Sequence, residues 1–185
     1  MTFQIQHSTI EFASGNIVDQ DVDAIVNAAN ARLLAGSGVC GAIHRAAGPE
    51  LVRACEKIGY CATGSAVMTP GFRLKARYVI HAVGPIYQGQ PDAAELLAGA
   101  YRSSLELAVQ QQLSSIAFPS ISTGVYGYPL EQAAPIALQT MKTFLEAHKG
   151  RFLVRIMLFD PPTTAVYQQL APALLHSENK GEKNL

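Results

Sequence analysis

Between residues 24 and 48 the chain changes its hydrophobic rhythm twice. Residues 24–28 (Ala-Ile-Val-Asn-Ala) form an unbroken, largely apolar run, which predicts a short strand buried on both faces. Further on, Val39, Ala42, Ile43, Ala46 and Ala47 recur at helical spacing and predict a helix with those residues on its buried stripe. After the strand comes Asn30, and Gly36, Ser37, Gly38 and Gly41 supply permissive backbone just where the spacing switches to helical. A strand, a glycine-rich turn and a helix start make an anion cradle. Successive N–H groups, backed by the positive end of the helix, surround a phosphate that meets no Cβ on approach.

The same reading extends along the chain. Residues 3–13 alternate apolar and polar side chains with a break near Ser8, predicting two short strands at a sheet edge. Asp19, Asp21 and Asp23 form a polar connection into 24–28. Pro49, after Gly48, opens a second helix expected to bury Leu51, Val52, Cys55 and Ile58 before Gly59 ends it. Strands follow at 66–69 and 77–83, joined by the turn dipeptide Pro70-Gly71. A long helix is expected over 93–111, a strand over 116–118, and a helix carrying Ala134, Leu138, Met141 and Leu145, with Pro135 tolerated only near its first turn. A strand over 152–159 and a short helix from Thr163 close the pattern. Between the 116–118 strand and its helix lies Pro-Ser-Ile-Ser-Thr-Gly-Val-Tyr-Gly-Tyr-Pro, residues 119–129, a second candidate phosphate loop.

Alternating strands and helices predict an α/β fold, a mixed, mostly parallel sheet between two helical layers with ligand loops at the strand carboxyl ends. The 185 residues, 49% hydrophobic, suit a single domain over 1–176, followed by a polar tail over 177–185 expected to be frayed. Fourteen basic residues balance fourteen acidic ones, so no general attraction to nucleic acid or anionic membrane is implied. An anionic ligand must then be held by local geometry. Three cysteines (40, 55 and 61) do not make paired C-x-x-C motifs, and reduced thiols are the simpler account. With no basic-then-apolar start and no apolar run of ~18 residues, a cytoplasmic protein is expected.

Four stretches carry a resemblance. Asn27-Ala-Ala-Asn30, the helix ending Gly41-Ala-Ile-His-Arg-Ala-Ala-Gly48, His81-Ala-Val-Gly-Pro85 and Ile121-Ser-Thr-Gly-Val-Tyr-Gly-Tyr-Pro129 together resemble a macrodomain of the MacroD type. Members of that family bind ADP-ribose. Many hydrolyse its bond to acidic side chains or release acetate from O-acetyl-ADP-ribose. The resemblance thus implies ADP-ribose, O-acetyl-ADP-ribose and mono-ADP-ribosylated proteins as partners, and no cofactor. It places Asn16 and Ile17 at the adenine with Phe159 on or near an adenine face, and Asn30 at the distal ribose. Gly36, Ser37, Gly38, Val39 and Cys40 would wrap the distal ribose and diphosphate from one side. Ser122, Thr123, Gly124, Val125 and Tyr126 would wrap them from the other, Tyr126 packing on the distal ribose.

Two positions depart from the family pattern. Asn16 stands where an aspartate usually accepts from the adenine amino group, and its carbonyl oxygen is a weaker acceptor. Cys40 stands where MacroD-type enzymes carry an aspartate with an assigned catalytic role. Alphavirus macrodomains, which include hydrolases, are similar to this chain at that loop. Asn30, Cys40 and His44 are therefore the candidate catalytic residues. Hydrolysis would run through a water held between phosphate and distal ribose, whereas loss of the carboxylate would leave a non-catalytic ADP-ribose reader. Cys40 and His44, four apart on a helix, also have the spacing of a metal pair or of a nucleophile with its base, against the simpler reading of a small loop-filling thiol and a loop-orienting histidine. Asn27 is expected to hold neighbouring backbone, His81, Cys55 and Cys61 to be structural, and Phe159 to be either adenine contact or core.

Overall fold

Each predicted strand forms, and the four predicted over 66–69, 77–83, 116–118 and 152–159 gain or lose a residue or two at their ends. The strands are β1 (Thr2–Ile5), β2 (Ser8–Ser14), β3 (Ala24–Ala28), β4 (Ala66–Pro70), β5 (Tyr78–Ala82), β6 (Ser115–Phe118) and β7 (Leu153–Leu158). The computed structural model describes residues 1–176, and the expected polar tail at 177–185 lies outside them. The sheet runs β1-β2-β7-β6-β3-β5-β4. Its five inner strands, β2, β7, β6, β3 and β5, are mutually parallel, and β1 and β4 pair antiparallel at the two edges. The carboxyl ends of the five parallel strands therefore open along one rim of the sheet. This is the three-layer α/β architecture expected from the sequence.

Helices α1 (Gly38–Ala47) and α2 (Pro49–Ile58) cover one face, and α3 (Ala93–Gln110), α4 (Leu130–Ala147) and α5 (Pro161–Leu175) cover the other. Strand periodicity divides the core accordingly. Ala24 and Val26 of β3 pack with α3–α5, whereas Ile25 packs with α1 and α2. Among the described residues no helix is long and apolar enough to cross a membrane.

Four local expectations are corrected. The buried stripe of α1 is Cys40, Ile43, His44 and Ala47 rather than Val39, Ala42 and Ala46, which are half-buried. Spacing i, i+3, i+4, i+7 is kept, but a histidine and a cysteine occupy core positions, which a count of apolar letters does not see. In α2 only Leu51 and Cys55 are buried, with Val52 half-buried and Ile58 exposed. Pro135 is the sixth residue of α4, beyond the first turn. The carbonyl it leaves without an intrahelical donor belongs to Glu131, an exposed residue at the surface of the helix. The last helix starts at Pro161 rather than Thr163, because the Asp160 carboxylate caps it, accepting from the Thr163 N–H at 2.8 Å.

Asp23, read from sequence as part of a polar connection, is an anchor. Its Oδ2 accepts from the N–H and hydroxyl of Ser114 (both 2.8 Å) and of Ser115 (both 3.1 Å), while Arg77 donates to Oδ1 at 2.9 Å. Partial burial raises its pKa, but the Ser114, Arg77 and Ser115 hydrogen bonds outweigh that and hold it at about 2. The anchor ties the start of β3 to the start of β6, and so sets where both strands deliver their loops.

Candidate functional site

Four strand ends build the site, in spatial order β2, β7, β6, β3. After β2 come Asn16 and Ile17, after β7 Phe159, after β6 the loop 119–129, and after β3 Asn30 with the loop into α1. Three inter-strand steps of ~4.8 Å span ~14 Å, so the rim suits an elongated ligand laid across the strand ends.

At the β2 end, Asn16 is exposed and caps a one-turn 3-10 helix (Ile17–Asp19), its Oδ1 accepting from Val18 N–H at 3.3 Å, while Ile17 is buried beneath. Phe159 is 83% exposed, which settles its open reading against the core. It borders a shallow pocket shared with Ser14, Leu158 and Pro161.

At the β3 end, the Asn30 side chain closes on the Leu34 backbone with both arms. Oδ1 accepts from Leu34 N–H at 3.1 Å and Nδ2 donates to Leu34 O at 2.7 Å. Residues 34–38 are exposed, and Ser37, the N-cap of α1, makes no side-chain capping bond. The first N–H groups of α1 are thus left uncapped at the rim, the condition for anion binding at a helix start. Gly41 must be glycine, since a Cβ would lie 2.5 Å from Gly36 O where the loop folds back on the helix.

At the β6 end, the loop is held by Tyr128 N–H to Ser122 O (3.0 Å), Gly127 N–H to Gly124 O (2.9 Å) and Tyr87 N–H to Tyr126 O (2.8 Å). Ser122 is buried with φ +66° and no partner for its hydroxyl, a strained conformation of the kind kept at ligand sites. Thr123 turns back to Ser120 O, Val125 is 88% exposed, and Tyr126 is half-buried. Burial raises the Tyr126 phenol, and the nearby Cys40 thiol adds to the rise. The two glycine-rich loops therefore face each other across the rim.

The Macro domain family model matches residues 26–137. The chain belongs to the macrodomain family. It is 49% identical to an O-acetyl-ADP-ribose deacetylase of Salmonella gallinarum, over 88% of this chain and 94% of that protein. It is 50% identical to the ADP-ribose glycohydrolase MACROD2 of Xenopus laevis, over 80% of this chain and 37% of that longer protein. The Oceanobacillus iheyensis macrodomain solved with ADP superposes with a TM-score of 0.91 at 47% identity, over 94% of this chain and 95% of that one.

Beneath the rim of this macrodomain lies a buried polar cluster that joins Asn27, Cys40 and His81. Asn27 does not hold backbone. Its Nδ2 lies 3.1 Å from His81 Nδ1 and 3.7 Å from Cys40 Sγ, and Oδ1 has no partner. His44, only 7% exposed, hydrogen-bonds nothing through either ring nitrogen, so it does not orient the loop as expected. Its ring lies 6.4 Å from that of His81. Among the described residues no three His, Cys, Asp or Glu side chains converge in a way that could hold a metal ion.

Burial lowers the pKa of His44, and burial with His44 nearby takes His81 down to about 3. Both rings are neutral at pH 7. Between pH 6.5 and 3 the unfolded chain binds protons that folded His81 refuses, so stability present above pH 6.5 is lost as pH falls. Urea unfolding is expected to show a loss of about 2 kcal/mol between pH 6.5 and 5 from this residue. His81→Asn should flatten that slope, and an unchanged slope would count against a neutral buried ring.

Proposed function

We propose that this macrodomain binds ADP-ribose and hydrolyses ADP-ribosyl esters, both O-acetyl-ADP-ribose and mono-ADP-ribosylated Asp and Glu side chains of proteins. One observation carries the reading. Two facing glycine-rich loops, one running into an uncapped helix start, follow the neighbouring strands β6 and β3, with Asn30 and Cys40 on the β3 side and Asn16 and Phe159 farther along the rim after β2 and β7. The neutral chain needs no lysine or arginine cluster for the diphosphate, because N–H groups of residues 36–40 and 122–126 supply the donors. Relatives named as a deacetylase and a glycohydrolase at about half identity support turnover.

In this reading Phe159, exposed at the β7 end, stacks on adenine, Asn16 accepts from its amino group beside Ile17, and Tyr126 packs on the distal ribose. Asn30 orients that ribose from a side chain already locked to Leu34. A water between the phosphate and the distal ribose attacks the acyl carbonyl or the anomeric carbon. The protein contributes orientation and N–H stabilisation of developing charge. The free, buried cysteines support a reducing, cytoplasmic setting.

Incubation with a mono-ADP-ribosylated acidic substrate and with O-acetyl-ADP-ribose tests the proposal, with released ADP-ribose and acetate as expected products. Tight binding without release would favour the non-catalytic reader, for which the specific observation is the thiol at Cys40. Failure of ADP-ribose to bind in calorimetry would remove both readings.

Asn16 gives a graded prediction. A carboxylate caps the 3-10 turn as well as the amide does, and makes a stronger bond to the adenine amino group. Asn16→Asp is expected to tighten ADP-ribose by about threefold in titration calorimetry, and tighter binding by the wild type would contradict the adenine assignment.

A further inference from the structure

The polar cluster under the rim is ordered by strand register. Asn27 of β3 and His81 of β5 are direct cross-strand neighbours, and Val67 of β4 pairs with His81. Thr69, two residues on, shares its face, and its Oγ1 lies 2.9 Å from His81 Nε2. These side chains point toward α1 and α2, where Cys40 and Cys55 meet them. Asn27, Thr69 and His81 are all buried.

The direction of each hydrogen bond follows from one obligatory acceptor. Leu34 O lies 3.6 Å from Cys40 Sγ and takes Asn30 Nδ2 at 2.7 Å. A carbonyl only accepts, so the Cys40 S–H donates to it and the sulfur is left to accept from Asn27. Asn27 must then present Nδ2 to Cys40. The second hydrogen of Nδ2 goes to His81 Nδ1, which is therefore bare, and the ring proton sits on Nε2, aimed at Thr69. Turning the Asn27 amide over would put an acceptor between Cys40 and His81 and draw the thiol proton away from Leu34. The chain Thr69–His81–Asn27–Cys40–Leu34–Asn30 thus runs without a break from the sheet interior to the two residues at the distal-ribose end.

We infer that His81 is a positioning residue for Asn30 and Cys40, acting through the Nδ1 acceptor that fixes the Asn27 amide; this rests on the reading of the rim as an ADP-ribosyl-ester site. Burial keeps the ring neutral across the physiological range, and the Asn27 donor makes Nδ1 the bare nitrogen. The role belongs to one ring atom, which separates it from simple core filling.

Two near-isosteric variants read that atom. His81→Asn places Oδ1 where Nδ1 stood and keeps the acceptor for Asn27. His81→Gln reaches toward Thr69 and leaves Asn27 without it. Iodoacetamide labelling of the free protein, quantified at each cysteine by mass spectrometry, reports the hold on Cys40. Cys61, whose thiol hydrogen-bonds Ala62 O and has no bond to the Asn27–His81 chain, serves as internal reference. Cys40 labelling relative to Cys61 is expected to rise about tenfold in His81→Gln and to stay within about threefold of wild type in His81→Asn. Ester hydrolysis should lose about tenfold in kcat in His81→Gln with KM within about threefold, and His81→Asn should recover it. Equal behaviour of the two variants, or Cys61 accelerating in step with Cys40, would overturn the inference. A wild-type protein that turns over no ester overturns the hydrolase reading alone, and the labelling still decides the role of His81.

Discussion

Gly84→Ala is expected to weaken ADP-ribose binding by about 10- to 100-fold while the protein stays folded. Gly84 is buried just beyond β5, where the loop from β6 lies against it. A Cβ there would overlap the Ser122 hydroxyl and come within 2.6 Å of Ile121 Cγ2. The hydroxyl can rotate away, but Ile121 cannot yield so easily. It is 1% exposed, and its N–H donates to the Tyr101 hydroxyl at 2.9 Å. Relief must come from displacing residues 121–126, and the N–H groups of 122–126 are those assigned to the diphosphate. Ser122 is already held at positive φ, so little slack remains. A shift of ~1 Å in donors that act together is enough for the stated loss. Calorimetry gives the binding constant and a melting curve shows that the fold survives. A Kd within threefold of wild type would mean that the loop is not the diphosphate's second wall.

How much of this was legible in the sequence depends on which physical signal each feature leaves. β3 appears at the residues its apolar run marks, and Pro49 opens α2 as its fixed φ requires. Both are local properties. The facing of the two loops was implied by resemblance and follows here from sheet order, since β6 and β3 are neighbours. What could not be read is lateral. Asn27, His81 and Thr69 are polar letters in apolar strands, and only the register of β3 with β5 and of β5 with β4 turns them into one cluster. That cluster had one trace in the sequence, a polar residue at an inward position in each of three adjacent strands. Gly84 likewise carries no local sign of its role beside Pro85, because its reason for being glycine lies in a loop almost forty residues away. Asp23 was invisible as an anchor for the same cause, its partners being Ser114 and Ser115.

Cys40→Asp is expected to raise kcat for ADP-ribosyl-ester hydrolysis by about 10- to 100-fold, the lower part of the range for a positioned general base. Position 40 sits in the first turn of α1, opposite Tyr126 and tied through Leu34 to Asn30, so a carboxylate there reaches the distal-ribose end. Asn27 already presents an N–H to residue 40, and to a carboxylate that bond becomes charge-assisted and stronger. Two effects oppose. The thiol's bond to Leu34 O is lost, and a negative charge is placed at a site 7% exposed, near where the diphosphate lies. These act on binding more than on the chemical step, so ADP-ribose affinity should fall by about threefold while kcat rises. Steady-state kinetics on a mono-ADP-ribosylated acidic substrate, paired with calorimetry on ADP-ribose, separates the two. If kcat is unchanged or falls, the thiol enzyme does not lack a base at this position. Its turnover is then set by the water held between phosphate and ribose, and residue 40 matters through the shape it gives the loop.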